Sequence, residues 1–264
     1  MVDSGASGPA LLGELVPGDL FAFLLIFARA GSAVMIMPGF AEAYVSARVR
    51  LMLGLGISVV LAGPLAPGLP PLPAEPMQLA LLIAGELLIG LFLGTLARMA
   101  FSALHVAGST LAFQSGLAAA AIFDPNEATQ GTLPGNFLIT TALVLLFVTD
   151  GHHMLLQAIA ASYARLPVGA PLPLGDMADL LTRLIGQAFA LGVRIAAPLL
   201  LVSLLMHLGM GVLNRLMPSF QVFFIALPLQ LLVAFATIML TFATGLLAFF
   251  GLFQDTLGAG PPGG

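Results

Sequence analysis

The chain contains no cysteine, no tryptophan and no lysine, and charged residues of every kind fill only 8% of its 264 positions. Without cysteine there is no disulfide framework, no thiolate metal site and no catalytic thiol. All eight basic residues are arginine and they are scattered, so no basic patch for nucleic acid exists. Neither a Gly-x-Ser-x-Gly elbow nor a phosphate-cradling glycine loop is present. No catalytic residue, metal ligand or cofactor is therefore assigned. The net charge of −4 is too diffuse to name a partner. A soluble domain carries about 25% charged residues, so water cannot be the solvent for most of this surface.

What is present instead is hydrocarbon, at 59% of the chain. Leu20 to Pro38, Met77 to Ala97 and much of Phe220 to Phe253 reach the ~20 residues that a helix needs to cross ~30 Å of lipid. A β-barrel requires alternating polarity, and Leu79 to Leu93 shows none. The expected class is an all-α integral membrane protein of about six to seven long hydrophobic helices arranged as hairpins. Asp3, Glu14 and Asp19 precede the first apolar segment without any basic residue. That lacks the positive region of a cleaved signal, and the segment is expected to stay.

Hydropathy places the elements at Leu20 to Pro38, Arg50 to Gly63, Met77 to Ala97, Met99 to Phe123, Phe137 to Thr149 running on toward Arg165, Leu180 to Leu213, and Phe220 to Phe253. The expected organisation is N-terminal helices over 1–63, a linker over 64–76, middle helices over 77–179, a C-terminal hairpin over 180–257 and a disordered tail over 258–264. The linker holds six prolines, which remove donors and fix φ, so it reads as extended. Asp124 to Gly135 reads as a polar loop. Met77 to Phe123 as one helix would extend ~70 Å, more than twice the hydrocarbon thickness. It either turns near Arg98 or rises out of the bilayer inside an assembly. Two long helices joined near Arg215 to Ser219 form the last hairpin. Arg48 and Arg50 beside the second segment, and Arg165 and Arg183 beside the fifth loop, favour an outside N-terminus.

Few polar groups interrupt the apolar runs. Arg29 lies in the middle of the first, where an unpaired charge costs roughly 2.5 to 3.5 kcal/mol on insertion scales. It must face protein or water, as a pore residue or as the partner of an acid such as Glu86 or Glu42 or of another subunit. Glu86 sits in Gly85 to Gly94, whose Gly90 and Gly94 form a small-residue pair for close helix packing. Asp150, His152 and His153 suggest a metal or a relay. Adjacent histidines on a helix point about 100° apart, however, unlike the i, i+4 pair of a zinc helix, which favours a polar cap at the interface. His105 and His207 read as histidines bonded to neighbours. The run Gly116-Leu117-Ala118-Ala119-Ala120-Ala121 followed by Ile122-Phe123-Asp124-Pro125 is either a helix end or a bent, tightly packed loop. As a loop it would plug a pore.

With these segments the chain resembles the FliR family of flagellar biosynthetic proteins. The resemblance rests on Arg29 to Phe40 with Arg48, Gly85-Glu86 to Gly94, Gln114 to Pro125, Phe147 to Gly169, and Leu208 to Pro228. They stand in family order at family length. Two motifs depart from the family: Pro218-Ser219-Phe220-Gln221-Val222-Phe223 where it reads Pro-Gln-x-Asn-Val-Phe, and Asp150-Gly151-His152 where it reads Asn-Gly-His. The resemblance implies a bacterial inner-membrane, multi-pass subunit of the flagellar basal body that assembles with FliP-like and FliQ-like subunits. FlhB-like and FlhA-like subunits are further partners. The assembly would be a helical export gate for unfolded flagellar proteins, with Gly116 to Pro125 as the candidate plug. A rival from another class is a self-contained proton-coupled transporter with Arg29, Glu86, Asp150 and His152 as its relay. An intramembrane enzyme lacks a nucleophile and a complete ligand set.

Overall fold

Long apolar runs leave the backbone one way to satisfy its own polar groups out of water, hydrogen bonding within the segment. The computed structural model describes residues 8–117, 132–216 and 222–259, with side chains over 18–117, 132–216 and 228–258. Among these residues there are helices and no strand. In chain order they are α1 (Gly8–Val34), α2 (Ala47–Leu65), a 3₁₀ turn (Ala66–Gly68), α3 (Pro76–Ser115), α4 (Leu133–Val148), α5 (Gly151–Arg165), α6 (Leu174–Leu216) and α7 (Val222–Ala259). This is the all-helical membrane class expected.

The boundaries follow local chemistry. Ser46 caps α2, its Oγ accepting from the Val49 amide at 3.4 Å. Thr132 caps α4, its Oγ1 accepting from the Gly135 amide at 3.2 Å, and Pro134 stands in the first turn, where no donor is needed. The polar loop therefore ends three residues earlier than its composition suggests. Helix α2 runs to Leu65 through Pro64, and the 3₁₀ turn carries the chain to Gly68 before it extends. The helical path thus enters the proline-rich stretch, with Pro64 giving up the one backbone bond its missing N–H would have made to Val60 O. Helix α7 likewise continues to Ala259. Between α4 and α5 the run toward Arg165 is broken at Asp150, whose φ is +57°, a left-handed turn that ends one helix and starts the next. The following Gly151 has no room for a side chain, since a Cβ would lie 2.8 Å from Leu146 Cδ1.

Helix α3 is continuous over 40 residues, so no turn occurs at Arg98 and the helix extends ~60 Å. The 43 residues of α6 and 38 of α7 reach about as far. Four helices among the described residues are long and apolar enough to cross a membrane, at Ala47–Gly68, Pro76–Ser115, Leu174–Leu216 and Pro228–Gly258, and α4 with α5, bent by 75°, is apolar enough as a pair for a broken span or a re-entrant loop.

Two compact units divide the chain: residues 1–98 with 152–180 and 257–264, and residues 99–151 with 181–256. In the first, α1 lies directly on α3 along the small-residue face. A Cβ on Gly90 would collide with Arg29 O and Ser32 Oγ, and one on Gly94 would stand 2.8 Å from Ala33 O and Ile36 Cβ. Leu25, Ile26, Ala30, Ala33, Val34, Ile89, Leu93, Leu155 and Ile159 fill the interior. In the second unit, Gly108 and Gly135 bring the backbones of α3 and α4 together, and Gly192 of α6 faces Ala103 O and Val106. A Cβ on Gly245 of α7 would stand 3.1 Å from Ile195 Cγ2 of α6, so these two helices pack closely there. Phe101 packs edge-on against Phe249 and Phe253, with ring centroids 4.9 and 5.8 Å away.

Enlarging Gly90 tests the α1–α3 contact. Gly90→Leu must push α1 off α3 and is expected to destabilise the protein by ~3 kcal/mol or more. Gly85→Ala, on the same helix with no atom within 4 Å of the added Cβ, is expected to be neutral or stabilising by ~0.5 kcal/mol. Thermal unfolding in detergent distinguishes them, and similar melting points for both variants would contradict the packing described.

Candidate functional site

The polar centre of the first unit is built on Arg29. Arg29 lies five residues before the C-terminal end of α1 with no exposed surface, and Glu86 of α3 is 2% exposed. Nε donates to Glu86 Oε2 at 2.6 Å and Nη2 to Oε1 at 2.9 Å, a bidentate pair. Nη1 donates to Ser162 Oγ at 3.1 Å and Nη2 also to the Leu166 carbonyl at 2.9 Å, both from the last turn of α5 and its exit. The Tyr163 ring lies under the guanidinium with its centroid 4.0 Å from Cζ, and its hydroxyl donates to Ile26 O at 3.4 Å. Three helices are joined through one side chain. The partner of Arg29 is Glu86 and not Glu42, whose Oε1 accepts from the Gly39 amide at 3.3 Å.

Close backbone approach makes this geometry reachable. Gly90 stands one turn beyond Glu86 and lets α1 settle onto α3 at the level of Arg29, so the carboxylate needs no extension to meet the guanidinium. Glu86 also lines a cleft of about 590 Å³ walled by Pro70, Pro71 and Pro73, with Gln78, Leu82, Pro167 and Gly169. The proline-rich stretch folds over the acid's end of α3.

Arg98 is exposed and donates from Nη1 to Ile36 O at 3.3 Å, at the C-terminal edge of α1. His152 and His153 open α5 with ring centroids 4.2 Å apart and planes at 37°. The two rings come together, and with Asp150 they offer atoms all within 4.8 Å of one another. His152 stands about 15 Å along α5 from Ser162 at 1.5 Å per residue, which separates it from the Arg29 group. His207 Nδ1 bonds to Ser203 O at 2.6 Å, within its own helix, whereas His105 is exposed.

The second unit contains the entrance to the candidate plug. Helix α3 ends at Ser115, and Gly116 turns with φ +81°, a conformation glycine adopts without strain. Leu117 follows, and Ala118 to Pro125 lie outside the described residues. In the last turn of α3, Gln114 holds both long C-terminal helices: its Oε1 accepts from Ser203 Oγ of α6 at 2.7 Å and its carbonyl from Gln230 Nε2 of α7 at 2.7 Å. Gln114, Ser162 and Tyr163 are not singled out by residue type, although all three fall inside the segments that carry the family resemblance. The available signal was a polar or amphipathic side chain placed beside a glycine break or a helix end.

Removing one member of the buried pair strands the other. Arg29→Leu is expected to destabilise the protein by ~3–5 kcal/mol, Arg29→Leu with Glu86→Leu substantially less, and Arg98→Leu by under ~1 kcal/mol. Denaturation of the detergent-solubilised variants checks this order. Equal losses for Arg29→Leu and Arg98→Leu would remove the special standing of the buried arginine.

Comparison with known proteins agrees with this architecture. The family model of the bacterial export proteins, family 1, matches residues 20–256. The chain is similar to flagellar biosynthetic protein FliR of Caulobacter vibrioides, at 34% identity over 223 residues, covering 84% of this chain and 89% of the relative. It is 32% identical to flagellar biosynthetic protein FliR of Bacillus subtilis over 82% of this chain and 85% of that protein. A further relative is Yop proteins translocation protein T of Yersinia pestis, 28% identical over 85% of this chain and 87% of its own length. The matched span contains the Arg29 centre, both glycine faces and the Gln114 junction, and the chain belongs to family 1 of the bacterial export proteins, the FliR family.

Proposed function

We propose that the chain is a non-enzymatic subunit of a flagellar type III protein export gate in the bacterial inner membrane. In this reading it forms, with FliP-like and FliQ-like subunits, a channel for unfolded flagellar proteins, and FlhB-like and FlhA-like subunits attach to it. The observation that carries the reading is the mismatch between helix length and bilayer. Helices α3, α6 and α7 extend about twice the ~30 Å of hydrocarbon. Along α6 and α7, Leu201, Leu205, Leu208, Leu232, Met239 and Leu240 are all at least 60% exposed. Apolar surface that lipid cannot cover needs other protein chains. The names of the relatives, flagellar biosynthesis and Yop translocation, supply the export context.

Within that assembly, Gly116 to Pro125 closes the channel at rest. Support comes from the positive φ of Gly116 and from the Gln114 contacts that anchor the base of the segment to α6 and α7. Small apolar residues pack tightly and exclude water, whereas a charge would bring its hydration shell into the constriction. Arg29 and Glu86 serve as a structural clamp, since each carboxylate oxygen is held by the guanidinium. A proton relay would instead need these groups presented along a wet path.

Affinity purification of the tagged chain from native membranes is expected to recover a large complex containing FliP-like and FliQ-like subunits. A monomer or dimer that transports solute alone in liposomes would overturn the reading. Leu117→Asp and Ile122→Asp are expected to raise ion leak through the assembled complex while complex abundance stays near wild type. Loss of the complex without leak would assign the segment to packing and sink the plug.

A further inference from the structure

Helix α2 differs from the overlong helices. With the turn that follows it, Ala47–Gly68 is 22 residues long, or ~33 Å, which fits one crossing of ~30 Å of hydrocarbon. Only Gly54 and Ser58 of α2 are buried, and Gly54 faces α1 so closely that a Cβ there would stand 3.2 Å from Gly31 Cα. Beside that contact runs a groove of about 650 Å³ from Val49 to Leu61, with Gly56 along it and Leu156 of α5 on its other wall. Its α2 positions recur at steps of three and four, one continuous helix face. The groove is ~18 Å long at 1.5 Å per residue, slightly more than one leaflet's share of the hydrocarbon.

Two arginines stand at the end of α2 where the groove begins. Arg48 stands four residues before Met52 and Arg50 three before Leu53, so each arginine heads one of the two rows that line it. Arg48 is exposed, while Arg50 is fixed by Nε and Nη2 donating to Val45 O at 3.2 and 3.0 Å. Tyr44, 77% exposed, lies just before the helix, as an aromatic does at the level of lipid headgroups. The nearby acid, Glu42, engages the Gly39 amide.

We propose that this groove is a binding site for an anionic phospholipid, with an acyl chain laid along α2 from Val49 to Leu61 and the phosphate held by Arg48 and Arg50. Charge complementarity at one end and an apolar channel one leaflet deep select a molecule with an anionic head and a long hydrocarbon tail. Basic residues beside spanning helices recognise anionic headgroups in this way. The positive-inside tendency places the same two arginines at the cytoplasmic leaflet, where anionic lipid is available.

The full chain, purified in a neutral detergent, is titrated separately with phosphatidylglycerol and phosphatidylcholine, and bound lipid is counted by native mass spectrometry. Phosphatidylglycerol is expected to bind at least fivefold more tightly. Arg48→Gln should lose roughly fivefold for phosphatidylglycerol and leave phosphatidylcholine unchanged. Gly56→Leu fills the groove where no atom lies within 4 Å of the new Cβ, and should abolish tight binding while keeping the melting temperature. Equal affinity for the two lipids, or phosphatidylglycerol binding unaltered by both variants, would overturn the site. So would a photo-crosslinker at Met52 that, in native membranes, couples to a protein chain instead of lipid.

Discussion

A guanidinium buried within an apolar helix is the constraint around which the first unit is arranged. Arg29 cannot be left unpaired in hydrocarbon or in a dry interior, and four of its five N–H donors are consumed by Glu86, Ser162 and Leu166 O. Those acceptors come from α3 and from the end of α5. The positions of three helices are therefore set together, because moving any one of them strands a buried charge. A buried ion pair is weak evidence for stability relative to a hydrophobic filling, but it distinguishes one register from its neighbours sharply. A one-residue shift of α1 along α3 would keep much of the apolar contact and lose the bidentate pair.

Close backbone approach is the second element, and it depends on glycine at a few positions. Gly90 and Gly94 admit α1 to the surface of α3, Gly108 and Gly135 bring α3 to α4, and Gly192 lets α6 approach α3. Among spanning helices, tight packing replaces the hydrophobic drive that lipid removes. The helices longer than the bilayer keep exposed leucine along their length, so the isolated chain retains surface that only association can cover. The same overlength that defies a simple spanning protein suits a subunit of an assembly that leaves the membrane plane.

The Gln114 junction has a different character from the Arg29 clamp. It is neutral, it joins α3 to α6 and α7 by single hydrogen bonds, and it precedes a glycine turn at Gly116. Neutral bonds of this kind contribute about 1 kcal/mol each, less than the charged pair at Arg29. Bidentate charge pairing joins helices in the first unit, and single neutral hydrogen bonds do so at the end of α3.

The sequence by itself determined the solvent, the all-helical class and the need for Arg29 to find a partner. Those conclusions follow from composition and from the cost of unsatisfied polar groups in lipid, which are local quantities. It also marked Gly90 and Gly94 as a packing face, since small residues four apart admit another helix whatever its identity. Only the tertiary structure decided which acid meets Arg29, because Glu42 and Glu86 are equally plausible by type and differ in where backbone geometry places them. It decided that α3 passes Arg98 without turning, since Arg98 finds Ile36 O and needs no loop. Ser162, Tyr163 and Gln114 acquired their roles in the same way: hydroxyl, ring and amide are unremarkable in a sequence, and become specific when helices distant along the chain bring a donor and an acceptor within 3 Å or so of each other.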